Sequence, residues 1–203
     1  MKKGLALFFA LIAWFAVITQ LVLMIENRVA DIPETLIRFF SFYTILTNTL
    51  VAIYFTYLVL PPYKESKWLT KPGTLTAITI YITMVGSVYQ IALRHIWQPQ
   101  GMQLIVDELL HTIIPVLVII FWFIYEEVKA INYSQILTWA IYPLVYLLFI
   151  LIRGACSNFY PYPFVNVTEI GLKAALLNSG VLMMVFIGIS ALFIFVGKLI
   201  SKR

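Results

Sequence analysis

Apolar residues in this chain gather into six runs, each near the roughly 20 residues that an α-helix needs to cross a bilayer. They cover residues 4–25, 36–60, 73–97, 103–125, 134–153 and 170–200. Short polar or proline-bearing breaks separate them. Polar or proline residues interrupt the third and fifth runs, and the others read cleanly. The pattern predicts an all-α polytopic membrane protein, one bundle of six transmembrane helices spanning residues 1–203.

Composition agrees with that pattern. The chain has 203 residues, 62% hydrophobic and 11% charged, with a mean hydropathy of +0.95. A soluble domain carries about 25% charged residues, so lipid must be the solvent for most of this surface. The first run follows Lys2 and Lys3, as a signal peptide would. Its apolar stretch is longer than a signal's core and no small-x-small cleavage site follows, so it is read as a helix of the mature protein.

Charge sets the orientation. With the amino terminus cytoplasmic, that side holds Lys2, Lys3, Lys64, Lys67, Lys71, Lys129, Lys198, Lys202 and Arg203. The other side holds Arg28, Arg38, Arg94, Arg153 and Lys173. Nine against five favours both termini inside. The net charge of +5 therefore reflects topology and contact with anionic membrane lipids. There is no basic domain to hold a nucleic acid. Cys156 is the only cysteine, which rules out an intrachain disulfide and a cysteine metal cluster. The longest outer segment, 154–168, carries Tyr160-Pro161-Tyr162-Pro163-Phe164. It reads as an interfacial aromatic belt or as a lid over an outer-leaflet site.

An ionisable residue inside a membrane is a functional candidate, and few are present. In the fourth run, His111 lies four residues after Asp107 and three after Glu108. Both spacings bring side chains together on a helix. A carboxylate can hold an imidazole in one tautomer and stabilise its protonated form. Pro115 has no N–H, so the His111 carbonyl loses its helical partner and the helix is expected to kink. The alternative reading is a structural histidine near the interface.

The second run places Ser41, Thr44 and Asn48 on one helical face, with Thr47 close by. Hydroxyls of this kind commonly bond back to the preceding turn. Depth gives them a second reading. Thr44 lies about 9 Å of helical rise beyond Arg38, and His111 about 12 Å beyond Gln103. If the two helices adjoin, a hydroxyl can meet the imidazole, and a positioned base is what a threonine needs to become a nucleophile. On the fifth run, Tyr142, Tyr146 and Arg153 share a face. Arg153 or Arg38 can pair with a carboxylate, and the phenols can donate to an oxyanion or simply anchor the helix at the interface. His95 sits at the outer end of the third run. A bis-histidine haem would need His95 and His111 at one depth, so no haem or other cofactor is expected, and no metal site.

Phe42-Tyr43-Thr44-Ile45-Leu46-Thr47-Asn48, Leu110-His111-Thr112-Ile113-Ile114-Pro115, Tyr142-Pro143 and the Tyr160–Phe164 segment, in this order, resemble the androgen-induced-gene family of membrane proteins. They look most like its microbial branch, often labelled Pr-six-Pr proteins. The resemblance covers nearly the whole chain. Animal members are hydrolases of fatty acid esters of hydroxy fatty acids, with a threonine nucleophile and a histidine base. The resemblance implies Thr44 and His111 for those roles. Spacing alone singles out His111 but does not choose Thr44 over Thr47 or Ser41. The histidine-to-proline spacing is one residue shorter than in the animal pattern and the flanks of Thr44 differ, which bears on substrate range.

The expectation is thus a threonine-dependent intramembrane hydrolase of lipid esters, in a microbial cell membrane. Asp107 is expected to orient His111, with Glu108 second and Asn48 supporting. The rival reading is a transporter or binding protein for a small lipid-like solute, using the same polar cavity without chemistry. The sequence leaves the oligomeric state open.

Overall fold

The computed structural model describes residues 1–60, 69 and 71–200. Most of the loop 61–72, with Lys64 and Lys67, lies outside the described residues, as do Lys202 and Arg203. The described residues are helical and loop, with no strand among them. Among the described residues five helices are long and apolar enough to cross a membrane, or six if one bent pair counts as a single span. The chain divides into two compact units, Met1–Ala130 and Ile131–Arg203.

In the first unit, α1 (Lys2–Glu26) buries a stripe of Ala6, Ala10, Ala13, Ala16 and Val17. Small residues let two helix backbones approach closely where lipid offers no hydrophobic gain. α1 lies mainly along α3 (Tyr43–Val59), and Trp14 Nε1 donates to Thr56 Oγ1 across that seam at 3.0 Å. α4 (Thr74–Val88) packs against both α3 and α6 (Ile114–Tyr125) and is buried on nearly every side. Its polar residues stay satisfied by bonding back along the helix, Thr79 to the Leu75 carbonyl and Thr83 to the Thr79 carbonyl.

The second run is not one helix. α2 (Ile32–Phe40) and α3 meet at a 74° bend, which corrects the continuous helix expected over 36–60. α2 starts earlier because Asp31 caps it: its carboxylate accepts the Glu34 amide at 2.9 Å, and Pro33 occupies the first turn. α2 ends because its last amides tighten to three-residue bonds, Ser41 to Arg38 and Phe42 to Phe39. Phe42 then turns extended, with φ −81° and ψ 125°. Ser41 and Thr44 therefore belong to different helices.

The third and fourth runs each contain a five-residue π-helical turn. The first, Tyr89–Leu93, continues α4. The second, Leu109–Ile113, joins α5 (Met102–Glu108) to α6. Such turns are rare and frequently sit at functional sites. The expected helix over 73–97 ends at Leu93, and residues 94–97 form no helix.

The second unit holds α7 (Gln135–Ser157) and α8 (Val167–Ile200) packed together. α7 runs four residues beyond the expected end and carries Pro143 inside it. α8 is broken at Gly171, whose φ of 79° and ψ of 156° only glycine adopts readily. The aromatic segment 158–165 is folded onto these helices. Asn158 stops α7 in the left-handed region, at φ 54°. The Tyr160 ring lies where a Cβ on Gly154 would be, and Asn178 Nδ2 donates to the Phe164 carbonyl at 2.9 Å.

Candidate active site

Three sequence-distant segments of the first unit converge: the start of α3, the end of the α4 span, and the turn between α5 and α6. Thr44 is the second residue of α3 and only 8% exposed. It lies at the positive end of that helix dipole, where developing negative charge is favoured. His111 lies in the second π turn. Its Nε2 is 3.3 Å from Thr44 Oγ1.

The other ring nitrogen fixes the tautomer. His111 Nδ1 is 2.9 Å from the Asp107 backbone carbonyl and 3.3 Å from Asp107 Oδ1. The backbone carbonyl can only accept, so Nδ1 carries the hydrogen and Nε2 presents its lone pair to the threonine. Asp107 is 4% exposed. Its other oxygen, Oδ2, accepts a hydrogen bond from the Tyr89 hydroxyl. The Tyr89 ring stacks on the imidazole, with centroids 4.2 Å apart and planes 14° apart.

Asn48 stitches the two halves together. It is fully buried, and its Nδ2 donates to the Thr44 carbonyl at 2.9 Å and the Leu110 carbonyl at 3.3 Å. The second bond follows from local geometry. In the π turn the Ile114 amide goes to the Leu109 carbonyl, and Pro115 has no N–H for Leu110. A backbone carbonyl freed at membrane depth needs another donor, and Asn48 supplies it. Gly86 allows the same region to sit close to α4: a Cβ there would lie 3.1 Å from the His111 carbonyl and 3.3 Å from Pro115 Cβ.

Glu108 faces elsewhere. It pairs with Arg94 and accepts from Thr112 Oγ1 at 2.7 Å. Gln90 Nε2 donates to Thr112 at 2.8 Å, and Arg94 donates to Gln90 at 3.0 Å. This closed network ties the two π turns together. Arg94 also lies over the Tyr89 ring, 5.8 Å from its centroid.

The residues expected from sequence thus separate. Thr44, His111, Asp107 and Asn48 come together. Glu108 is engaged by Arg94 and Thr112 instead. Arg38 pairs with Glu34 within α2 at 2.8 Å. Ser41 Oγ bonds back to the Ile37 carbonyl at 2.7 Å. Thr47 is fully buried, and His95 is exposed beyond the first π turn. Tyr142, Tyr146 and Arg153 lie on α7 in the second unit, with the Arg153 guanidinium 5.9 Å from the Phe159 ring centroid.

Sequence reasoning missed Tyr89, Gly86 and the break before Thr44. The break had a signal in Asp31-Ile32-Pro33-Glu34, a helix start four residues earlier than the apolar run suggested. Tyr89 had none, because a tyrosine in an apolar helix is ordinary. Among the described residues no group of three or more His, Cys, Asp or Glu side chains could hold a metal ion. Comparison with protein-family models, curated proteins and solved structures finds no match for this chain.

Proposed function

We propose that the protein is a threonine-dependent intramembrane hydrolase of lipid esters. The observation that carries the reading is the contact between Thr44 Oγ1 and His111 Nε2 at 3.3 Å, with Nδ1 held against Asp107. A hydroxyl facing the lone pair of an oriented imidazole is the arrangement a weak nucleophile needs. Catalytic hydrogen bonds in sites without substrate are commonly this long.

In this reading His111 Nε2 takes the Thr44 proton as Oγ1 attacks the ester carbonyl. The tetrahedral intermediate collapses, the alcohol leaves with the proton from His111, and an acyl-threonine remains. Water then gives a proton to His111 and attacks the acyl group. The fatty acid departs and the proton returns to Thr44. Asp107 supports the imidazolium in both half-reactions. The dipole of α3 favours the charge that develops beside Thr44.

The resemblance to the androgen-induced-gene family supports the same pair and suggests fatty acid esters of hydroxy fatty acids as the substrate class. Six spans, with α2 and α3 as one broken span, both termini cytoplasmic and a microbial cell membrane complete the proposal. Thr44 meets His111 about 14 Å of rise beyond Met102. This fits an α3 that begins inside the bilayer, with α2 covering its outer end. The test is intact-protein mass spectrometry after exposure to a fluorophosphonate lipid probe. Labelling that survives Thr47→Ala and Ser41→Ala and is lost in Thr44→Ala and His111→Ala supports the reading. A folded wild type that takes no label refutes it, and lipid-solute flux into proteoliposomes would then favour a transporter.

A further inference from the structure

We propose that Tyr89 is a positioning residue for the His111 base, acting through Asp107. The inference rests on the hydrolase reading above.

Two contacts carry it. The Tyr89 hydroxyl holds Asp107 Oδ2, which leaves Oδ1 turned to His111 Nδ1 at 3.3 Å. The Tyr89 ring lies parallel to the imidazole at 4.2 Å. The first contact sets the rotation of the carboxylate, and the second sets the plane of the base. Tyr89 is 3% exposed, so its hydroxyl requires a partner. A tyrosine that only filled space could use any carbonyl. This one uses Asp107, the carboxylate that faces the base.

The order of action is Tyr89, Asp107, His111, Thr44, and each member comes from a different turn of chain. The π turn at Tyr89–Leu93 begins with this tyrosine. The network of Gln90, Arg94, Glu108 and Thr112 then holds that turn against the one bearing His111. The stack also gives the imidazolium an aromatic face, which favours the protonated base during turnover.

The experiment compares the labelling kinetics of Thr44 in wild type, Tyr89→Phe, Asp107→Asn and the double variant. Tyr89→Phe keeps the ring and removes the donor. Its maximal labelling rate should fall about ten- to a hundredfold, the worth of one hydrogen bond to a charged group, with probe affinity unchanged. In the Asp107→Asn background the same substitution should change the rate less than about twofold, because a residue acting through Asp107 has nothing left to act on. A wild-type rate in Tyr89→Phe overturns the proposal, as does an equal loss in both backgrounds.

A second measurement does not depend on chemistry. In a His95→Gln background His111 is the sole histidine, and its Nδ1–H resonance can be followed by NMR. It should be sharp and slow to exchange in the parent and broadened in Tyr89→Phe. Persistence of that resonance overturns the proposal. If the parent takes no label, the hydrolase reading falls and this resonance alone decides the role of Tyr89. Should Tyr89→Phe fail to fold, 3-fluorotyrosine at position 89 keeps the shape and strengthens the donor. It should move the Nδ1–H resonance, and an unmoved resonance overturns the proposal.

Discussion

Replacing Asn48 with Asp changes almost no volume and exchanges the amide donor for an acceptor. In the native site Nδ2 faces two carbonyl oxygens, 2.9 Å away on Thr44 and 3.3 Å away on Leu110. These two bonds are not worth the same. The Thr44 carbonyl lies inside α3, where the helix supplies its own amide four residues on. The Leu110 carbonyl has lost that supply to the π turn and to Pro115. Leaving one buried carbonyl without a donor costs about 1–3 kcal/mol. Measured side-chain bonds in membrane bundles average only about 0.6 kcal/mol, because the unfolded chain in lipid finds partners too. The fixed backbone of the π turn cannot relax in that way, so the upper range applies. At about 2–4 °C per kcal/mol for a chain of this size, a loss of about 2–3 kcal/mol should lower Tm in detergent by about 4–12 °C. The labelling rate of Thr44 should fall further than Tm predicts, since Asn48 links the two chain segments that bring Thr44 to His111. Scanning fluorimetry and probe labelling on the same preparations read both. A variant with native Tm and native labelling would refute the argument that the Leu110 carbonyl depends on Asn48.

Gly86→Ala gains about 1 kcal/mol of helix propensity but places a Cβ 3.1 Å from the His111 carbonyl. Overpacking costs about 1–3 kcal/mol, so the variant should be less stable and slower to label, whereas an exposed glycine such as Gly4 should tolerate alanine. Asp107→Asn should slow labelling by about a hundredfold or more, as loss of the orienting acid does in related triads, while Glu108→Gln stays within a few-fold; the reverse order would exchange their roles. Glu126 closes α6 and accepts from the Gly73 amide at 3.2 Å and Thr76 Oγ1 at 3.1 Å. Burial raises its pKa above the usual carboxylate value, opposed by those two donors and by Lys2. The folded state therefore binds the proton before the unfolded state does, and stability rises as pH falls through the raised pKa towards the ordinary value. Glu126→Gln should abolish that rise in Tm between neutral and mildly acid pH, and parallel pH profiles for both proteins would refute it.

Apolar run length by itself determined that this chain is helical and suited to a bilayer, because each span must satisfy its backbone internally. The Asp107–His111 relation was also legible, since a four-residue spacing on one helix fixes which side chains are neighbours. The choice of Thr44 over Ser41 and Thr47 was not. All three lie within one apolar run, and only the bend at Ser41–Phe42 and the packing of α3 against the His111 turn separate them. The sequence put Asp107 ahead of Glu108 without a contact to separate them; in the fold Glu108 is taken up by Arg94 and Thr112. Tyr89 was invisible, because its hydroxyl finds its acceptor on another helix. Local sequence sets periodicity and the neighbours one turn away. Contacts between helices depend on how backbones approach, and here Gly86, Asn48 and two π turns decide that approach.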